Sequence, residues 1–164
     1  GAYDTFRVTA QSLAAASKGW EAAAGADQKR QTSPHSYWQY VNLPQEPDDG
    51  LAEDFSTIDK DVPRTTAHSF DDMELHAVVA AVEHGVGSGD SLRRVLRGYV
   101  VRNRNPGYAQ GLNYIGKFLL AATEDEERAF WLLNAYVEDV MPPDFLSRPP
   151  SGMNGFMVLL GVFK

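Results

Sequence analysis

Across residues 91–122 the apolar side chains recur at helical spacing twice, on either side of one polar turn. Leu92, Val95, Leu96 and Tyr99 fall on one face of a helix, with Arg93, Arg94 and Arg97 largely on another. Leu112, Ile115, Leu119 and Ala122 resume the same period. The interval 103–113 reads Asn-Arg-Asn-Pro-Gly-Tyr-Ala-Gln-Gly-Leu-Asn and is too polar for a core element. Pro106 pre-sets φ at the first central position of a turn and Gly107 accepts a positive φ at the second, so a sharp bend joins the two helices. Tyr108 and Gln110 follow, then Gly111, where backbone can run close to another surface. Taken alone, such a segment is a connector between core helices.

The remainder of the chain has the same grammar. Residues 8–26 are alanine-rich with Leu13 and Trp20 at compatible spacings, and Gly25 terminates the run. Residues 28–33 are polar; Ser33 and Pro34 then read as an N-cap and first turn leading into an aromatic helix with Tyr37, Trp38 and Tyr40. Pro44, Pro47 and Gly50 make 42–52 a surface loop. Ser69 and Asp72 resemble a capping pair for a helix that ends at Gly85, and a glycine-rich connector runs to Asp90. Thr123 with Glu126 reads as a capping box for a helix over 124–140, which Pro142 and Pro143 stop. Residues 147–152 form a Pro-rich loop before an apolar segment that runs to the end. No stretch alternates with period two between hairpin turns. The expected fold class is all-α, without a fixed-period repeat.

Composition narrows the function. The chain of 164 residues is long enough for one domain with a single sizeable core. A formal net charge of −7 argues against nucleic acid, which demands a basic stripe to neutralise phosphates. With no cysteine, disulfides and thiolate metal sites are excluded, and a reducing intracellular compartment is compatible. No apolar run reaches the roughly 18 residues needed for a transmembrane span. Nor does a basic region followed by an apolar block open the chain as a signal peptide. The start on Gly1 and the uncapped apolar end suggest a piece of a longer protein.

Several constellations bear on chemistry. Residues 58–65, Ile-Asp-Lys-Asp-Val-Pro-Arg-Thr, are expected to form a stiff loop, because Pro63 drives Val62 to an extended conformation and offers no amide proton. Such a loop could hold Arg64 in a restricted position, with Asp61 accepting a charge-assisted hydrogen bond. By itself the segment is more economically read as a solvated loop. The run from Gly85 to Asp90 lacks the third fingerprint glycine and the lysine of a phosphate loop and follows a helix, so it is a linker. His35, His68, His76 and His84 have no helical pair spacing suited to a metal. Glu124, Asp125, Glu126 and Glu127 stabilise a helix start.

Read as a pair, the two polar segments resemble those of the TBC domain of Rab GTPase-activating proteins. Ile58, Asp61 and Arg64 fit Ile-x-x-Asp-x-x-Arg, and Tyr108, Gln110 and Gly111 fit Tyr-x-Gln with its following glycine, in the family's order. The lead-in from Leu92 to Tyr99, with Asn103 and the block from Gly107 to Asn113, is similar as well, so that the match covers about residues 20–140. Leu112 stands where methionine is usual, a volume-conserving change. The resemblance implies a multi-helix TBC-type domain, its N-terminal part, with the single domain over 1–164 truncated at its C-terminal end. It implies Arg64 and Gln110 as arginine and glutamine fingers acting in trans, supported by Asp61, Tyr108, Gly111 and Asn113. The implied partner is a GTP-bound Rab-family small GTPase that carries the nucleotide and Mg²⁺, so the domain needs no cofactor of its own. It further implies a role in vesicle trafficking, with a cytoplasmic protein peripheral to endomembranes through its partner. The alternative is a non-catalytic adaptor of the same fold that binds a GTPase.

Overall fold

The computed structural model describes residues 10–43, 46, 48–67, 89–142 and 146. Every regular element among them is helical. In chain order these are α1 (Ala10–Ala24), α2 (Ala26–Thr32), α3 (Tyr37–Asn42), α4 (Asp49–Ala67), α5 (Gly89–Arg102), α6 (Leu112–Thr123) and α7 (Glu126–Ala135), which runs on into a π-helical turn, Tyr136–Val140. The all-α expectation therefore holds. The expected helix over 69–85, the loop over 147–152 and the terminal apolar segment lie outside the described residues, as does most of the connector expected over Gly85 to Asp90, whose last two residues, Gly89 and Asp90, belong to α5.

Helix α5 is the hub, packing on α3, α4, α6 and α7. Its Leu92, Val95, Leu96, Tyr99 and Val100 are all essentially inaccessible to solvent. This is the apolar face seen in the sequence, and its arginines occupy the opposite side, where Arg93 and Arg97 both donate to the Asp59 carboxylate of α4. The Arg97 guanidinium also lies 4.8 Å from the Phe55 ring centroid. These contacts brace α4 along the hub. On the far side Tyr37, Tyr40, Phe130 and Trp131 form an aromatic cluster between α3 and α7 with centroid separations of 4.8–6.4 Å.

Several local expectations are corrected. Residues 58–65 are not a loop but the second half of α4, with Pro63 inside the helix. Pro63 removes the amide that would bond the Asp59 carbonyl, at a cost of about 3 kcal/mol in a helix interior. Leu51, Ile58 and Val62, each at most 1% exposed, lie at helical spacing on the buried face of α4 and favour the continuous helix. Pro63 itself is exposed. The loop over 42–52 is shorter than expected, because Asp48 accepts from the Leu51 amide at 3.0 Å and α4 starts at Asp49.

Residues 28–33 are mostly helical too, and the aromatic helix is capped by Ser36, not Ser33. Ser36 and Gln39 form a reciprocal capping box, while the Ser33 hydroxyl donates to the His35 carbonyl. Likewise α7 is capped by Asp125, whose side chain accepts from the Arg128 amide at 2.8 Å. Thr123 instead closes α6 by donating to the Leu119 carbonyl.

A polar network fixes the entry to the 103–113 turn. Glu138, in the π-helical turn, accepts from Arg102 Nε at 2.8 Å, Asn103 Nδ2 at 3.1 Å and Lys29 Nζ at 2.6 Å. Asn103 also donates to Asn134 Oδ1 at 2.7 Å. Burial on its own would raise the Glu138 pKa, but the Arg102 and Lys29 hydrogen bonds outweigh it and hold the carboxyl below its ordinary range. No helix among the described residues is long and apolar enough to cross a membrane.

Candidate functional site

Two segments far apart in sequence meet along a seam between α4 and the 103–113 turn. The turn begins with the Gly107 amide donating to the Asn103 carbonyl at 3.0 Å, and Gly107 has φ +77°. Gly111 has φ +107°, a backbone conformation that side chains with a Cβ rarely adopt. The Gly107 value meets the expectation of a positive φ at this bend; Gly111 has open space around it instead of the close approach expected, and it is its φ that calls for glycine.

Each end of the turn is tied down. The Tyr108 amide donates to Asp54 Oδ2 at 3.1 Å, and the Tyr108 hydroxyl donates to Asp61 Oδ2 at 2.9 Å. Asn113 works in two directions: Oδ1 accepts from the Gly111 amide at 3.0 Å, and Nδ2 donates to Thr65 Oγ1 at 2.6 Å. Thr65 Oγ1 in turn donates to the Asp61 carbonyl at 2.7 Å. Lys117, one helical turn beyond Asn113 and only 5% exposed, donates Nζ to the Thr65 carbonyl at 3.1 Å.

Helical geometry places Arg64 at the rim of this seam. Asp61 and Thr65 are four residues apart and so share one face of α4, and Arg64, three residues after Asp61, lies at its margin. Gln110 lies between Tyr108 and Gly111, both held by the hydrogen bonds described. Arg64 and Gln110 are each exposed, and neither side chain engages another described residue through a hydrogen bond or ion pair. The supporting groups are thus consumed by one another, whereas the two outermost side chains are left to meet something else.

Tyr108 is kept neutral. Burial above all, and then its bond to Asp61, push its phenol well above the ordinary range. It therefore acts as a donor to a carboxylate across the physiological range, a role fixed by position. Asp54, Thr65 and Lys117 were not singled out by sequence reasoning. Thr65 falls in the segment read as a loop and Asp54 in a stretch with no assigned element, where a polar residue draws no notice, and Lys117 sits among apolar residues with nothing local to show that it turns inward.

An apolar opening lies elsewhere among the described residues. A cleft of about 510 Å³ is lined by Trp20, Ala24, Tyr114, Ile115, Phe118 and Tyr136, among others, and by none of the seam residues. Of the six residues expected to form the site, Arg64 and Gln110 are the two that are exposed.

Comparison with known proteins agrees with this architecture. The family model for the Rab-GTPase-TBC domain matches residues 15–163. A TBC domain-containing protein of Schizosaccharomyces pombe is 34% identical over 131 residues, covering 79% of this chain and 15% of that protein. Growth hormone-regulated TBC protein 1 of Xenopus tropicalis is 39% identical over 70 residues, 43% of this chain and 20% of that protein. The crystal structure of the Chlamydomonas flagellar RabGAP TBC domain superposes with a TM-score of 0.55 at 28% identity, covering 80% of this chain and 40% of the other. The chain thus spans less than half the length of these relatives. From the family model, the shared helical architecture and these relatives together, it follows that this chain belongs to the Rab-GTPase-TBC domain family.

Proposed function

We propose that this domain is a GTPase activator for Rab-family small GTPases in their GTP-bound state, supplying Arg64 and Gln110 in trans. The observation that carries the reading is the seam itself: Asp61, Tyr108, Thr65 and Asn113 hold one another, and Arg64 and Gln110 stand exposed at its edge.

GTP hydrolysis needs two things from a partner. Charge developing on the transferring phosphoryl group must be stabilised, and the attacking water must be oriented. Arg64 suits the first, because its guanidinium is permanently charged and its planar donors match phosphate oxygens. Gln110 suits the second, because a neutral amide donates and accepts at once and so can orient a water without ionising. The nucleotide and its Mg²⁺ belong to the GTPase. An exposed rim fits a macromolecular partner better than a small ligand, which favours a cavity. Through such partners the domain would act in vesicle trafficking, recruited peripherally to endomembranes from the cytoplasm.

Single-turnover GTP hydrolysis on a panel of Rab proteins tests the proposal. Stimulation of at least one Rab is expected, with Arg64→Ala and Gln110→Ala each reducing it by about 10³-fold, in the range known for arginine fingers, at unchanged helical content. Stimulation that neither substitution weakens would refute the two-finger reading. Binding of a GTP-loaded Rab with no stimulation would support the adaptor alternative instead.

A further inference from the structure

Lys117 is a charged residue buried in a largely apolar helix. It lies in α6 among Leu112, Leu119, Leu120 and Ala121, all buried, and is itself 5% exposed. Taking an ammonium out of water is unfavourable unless its protons find acceptors. One of those acceptors lies across the seam: the lysine Nζ donates at 3.1 Å to the carbonyl of Thr65, the residue after Arg64.

Asn113 and Lys117 are four residues apart and therefore share one face of α6. Together they grip Thr65 at two points, Oγ1 and the main-chain carbonyl. Asn113 simultaneously holds the Gly111 amide next to Gln110. The turn that carries Arg64 and the turn that carries Gln110 are thus referred to a single rigid element. We propose that Lys117 is a positioning residue, which sets the register of α4 against α6 and with it the separation of Arg64 and Gln110. The inference rests on the proposed function for its catalytic consequence, and on geometry alone for the separation.

Two measurements test it. Because the chain has no cysteine, nitroxide labels can be attached to Arg64→Cys and Gln110→Cys and their distance distribution recorded with and without Lys117→Met. A narrow distribution that shifts or broadens on substitution is expected; superimposable distributions overturn the proposal, whatever the activity. Lys117→Leu replaces Lys117→Met if the latter loses helical signal. In the kinetic arm, Lys117→Met should lower the maximal rate of stimulated hydrolysis at least ~10-fold, since small misplacements of catalytic groups are costly, with KM for the GTPase changed by less than about 3-fold. Lys117→Cys aminoethylated in urea and refolded restores an ammonium at nearly the same reach and should recover the rate. An unchanged maximal rate on a GTPase whose stimulation requires Arg64 and Gln110 overturns the proposal. If stimulation survives Arg64→Ala and Gln110→Ala, the proposed function fails instead, and the label distance still decides the role of Lys117.

Discussion

The Tyr108 hydroxyl donates to Asp61 Oδ2 at 2.9 Å across 47 positions of sequence, and so joins the turn before α6 to the last third of α4. Breaking that bond should separate stability from activity in an informative way. Tyr108→Phe leaves a partly buried carboxylate without its donor and is expected to cost about 1–2 kcal/mol, measured by urea denaturation. Stimulated GTP hydrolysis should fall about 10-fold through its maximal rate, since the ring still packs but the turn is no longer held.

Gly111→Ala tests the other end of the turn. At φ +107° a Cβ is strained even though open space surrounds the position. The expected loss is about 1–2 kcal/mol, the usual penalty for a left-handed conformation in a residue other than glycine. Because the Gly111 amide is bonded to Asn113, relaxation of that strain should also displace Gln110 and reduce stimulation. A variant of full activity and lowered thermal midpoint would show that Gln110 does not depend on this geometry.

Pro63 offers a substitution in the opposite direction. It is exposed and helical, so Pro63→Ala restores an amide for the Asp59 carbonyl and should stabilise the domain by about 1–3 kcal/mol. Chemical denaturation of the two forms measures this directly. No gain would mean that α4 has adapted fully to the proline.

Stability against pH should have two edges. Glu126 is partly buried, which acts to raise its pKa, but its hydrogen bonds with Arg94 and Tyr37 prevail, and Glu138 is likewise lowered from 4.5 by Arg102 and Lys29. Their contribution is complete above pH 4.5 and is lost as pH falls through the lower folded values. Burial raises the phenols of Tyr37, Tyr99 and Tyr108 from 10.0. That contribution is complete below pH 10 and declines as pH rises beyond it, because the unfolded chain ionises there first. Urea midpoints across pH should show both declines, and Glu138→Gln should flatten the acid one. Phenolate absorbance should show these tyrosines ionising only on unfolding.

How much was legible depended on how locally each feature is determined. The face of α5, the bend at Pro106 and Gly107 and the end of α1 at Gly25 all depend on residues a few positions apart, and they were read correctly. The caps were read less well. Ser33 and Thr123 are chemically able to cap, but Ser36 completes a reciprocal box with Gln39 and Asp125 accepts from the Arg128 amide, local signals that the reading passed over.

By itself the sequence determined an all-helical chain with two polar motifs in a family order, because helical period and turn chemistry act over short range. Only the tertiary structure decided that 58–65 is helix, since burial of Ile58 and Val62 against α5 and its neighbours outweighs a proline. It also decided that Asp61 meets Tyr108, that Asn113 meets Thr65, and that Lys117 turns inward to the Thr65 carbonyl. Those hydrogen bonds join groups some fifty residues apart, and no local preference encodes them; they form because the packed helices bring each donor to its acceptor away from water.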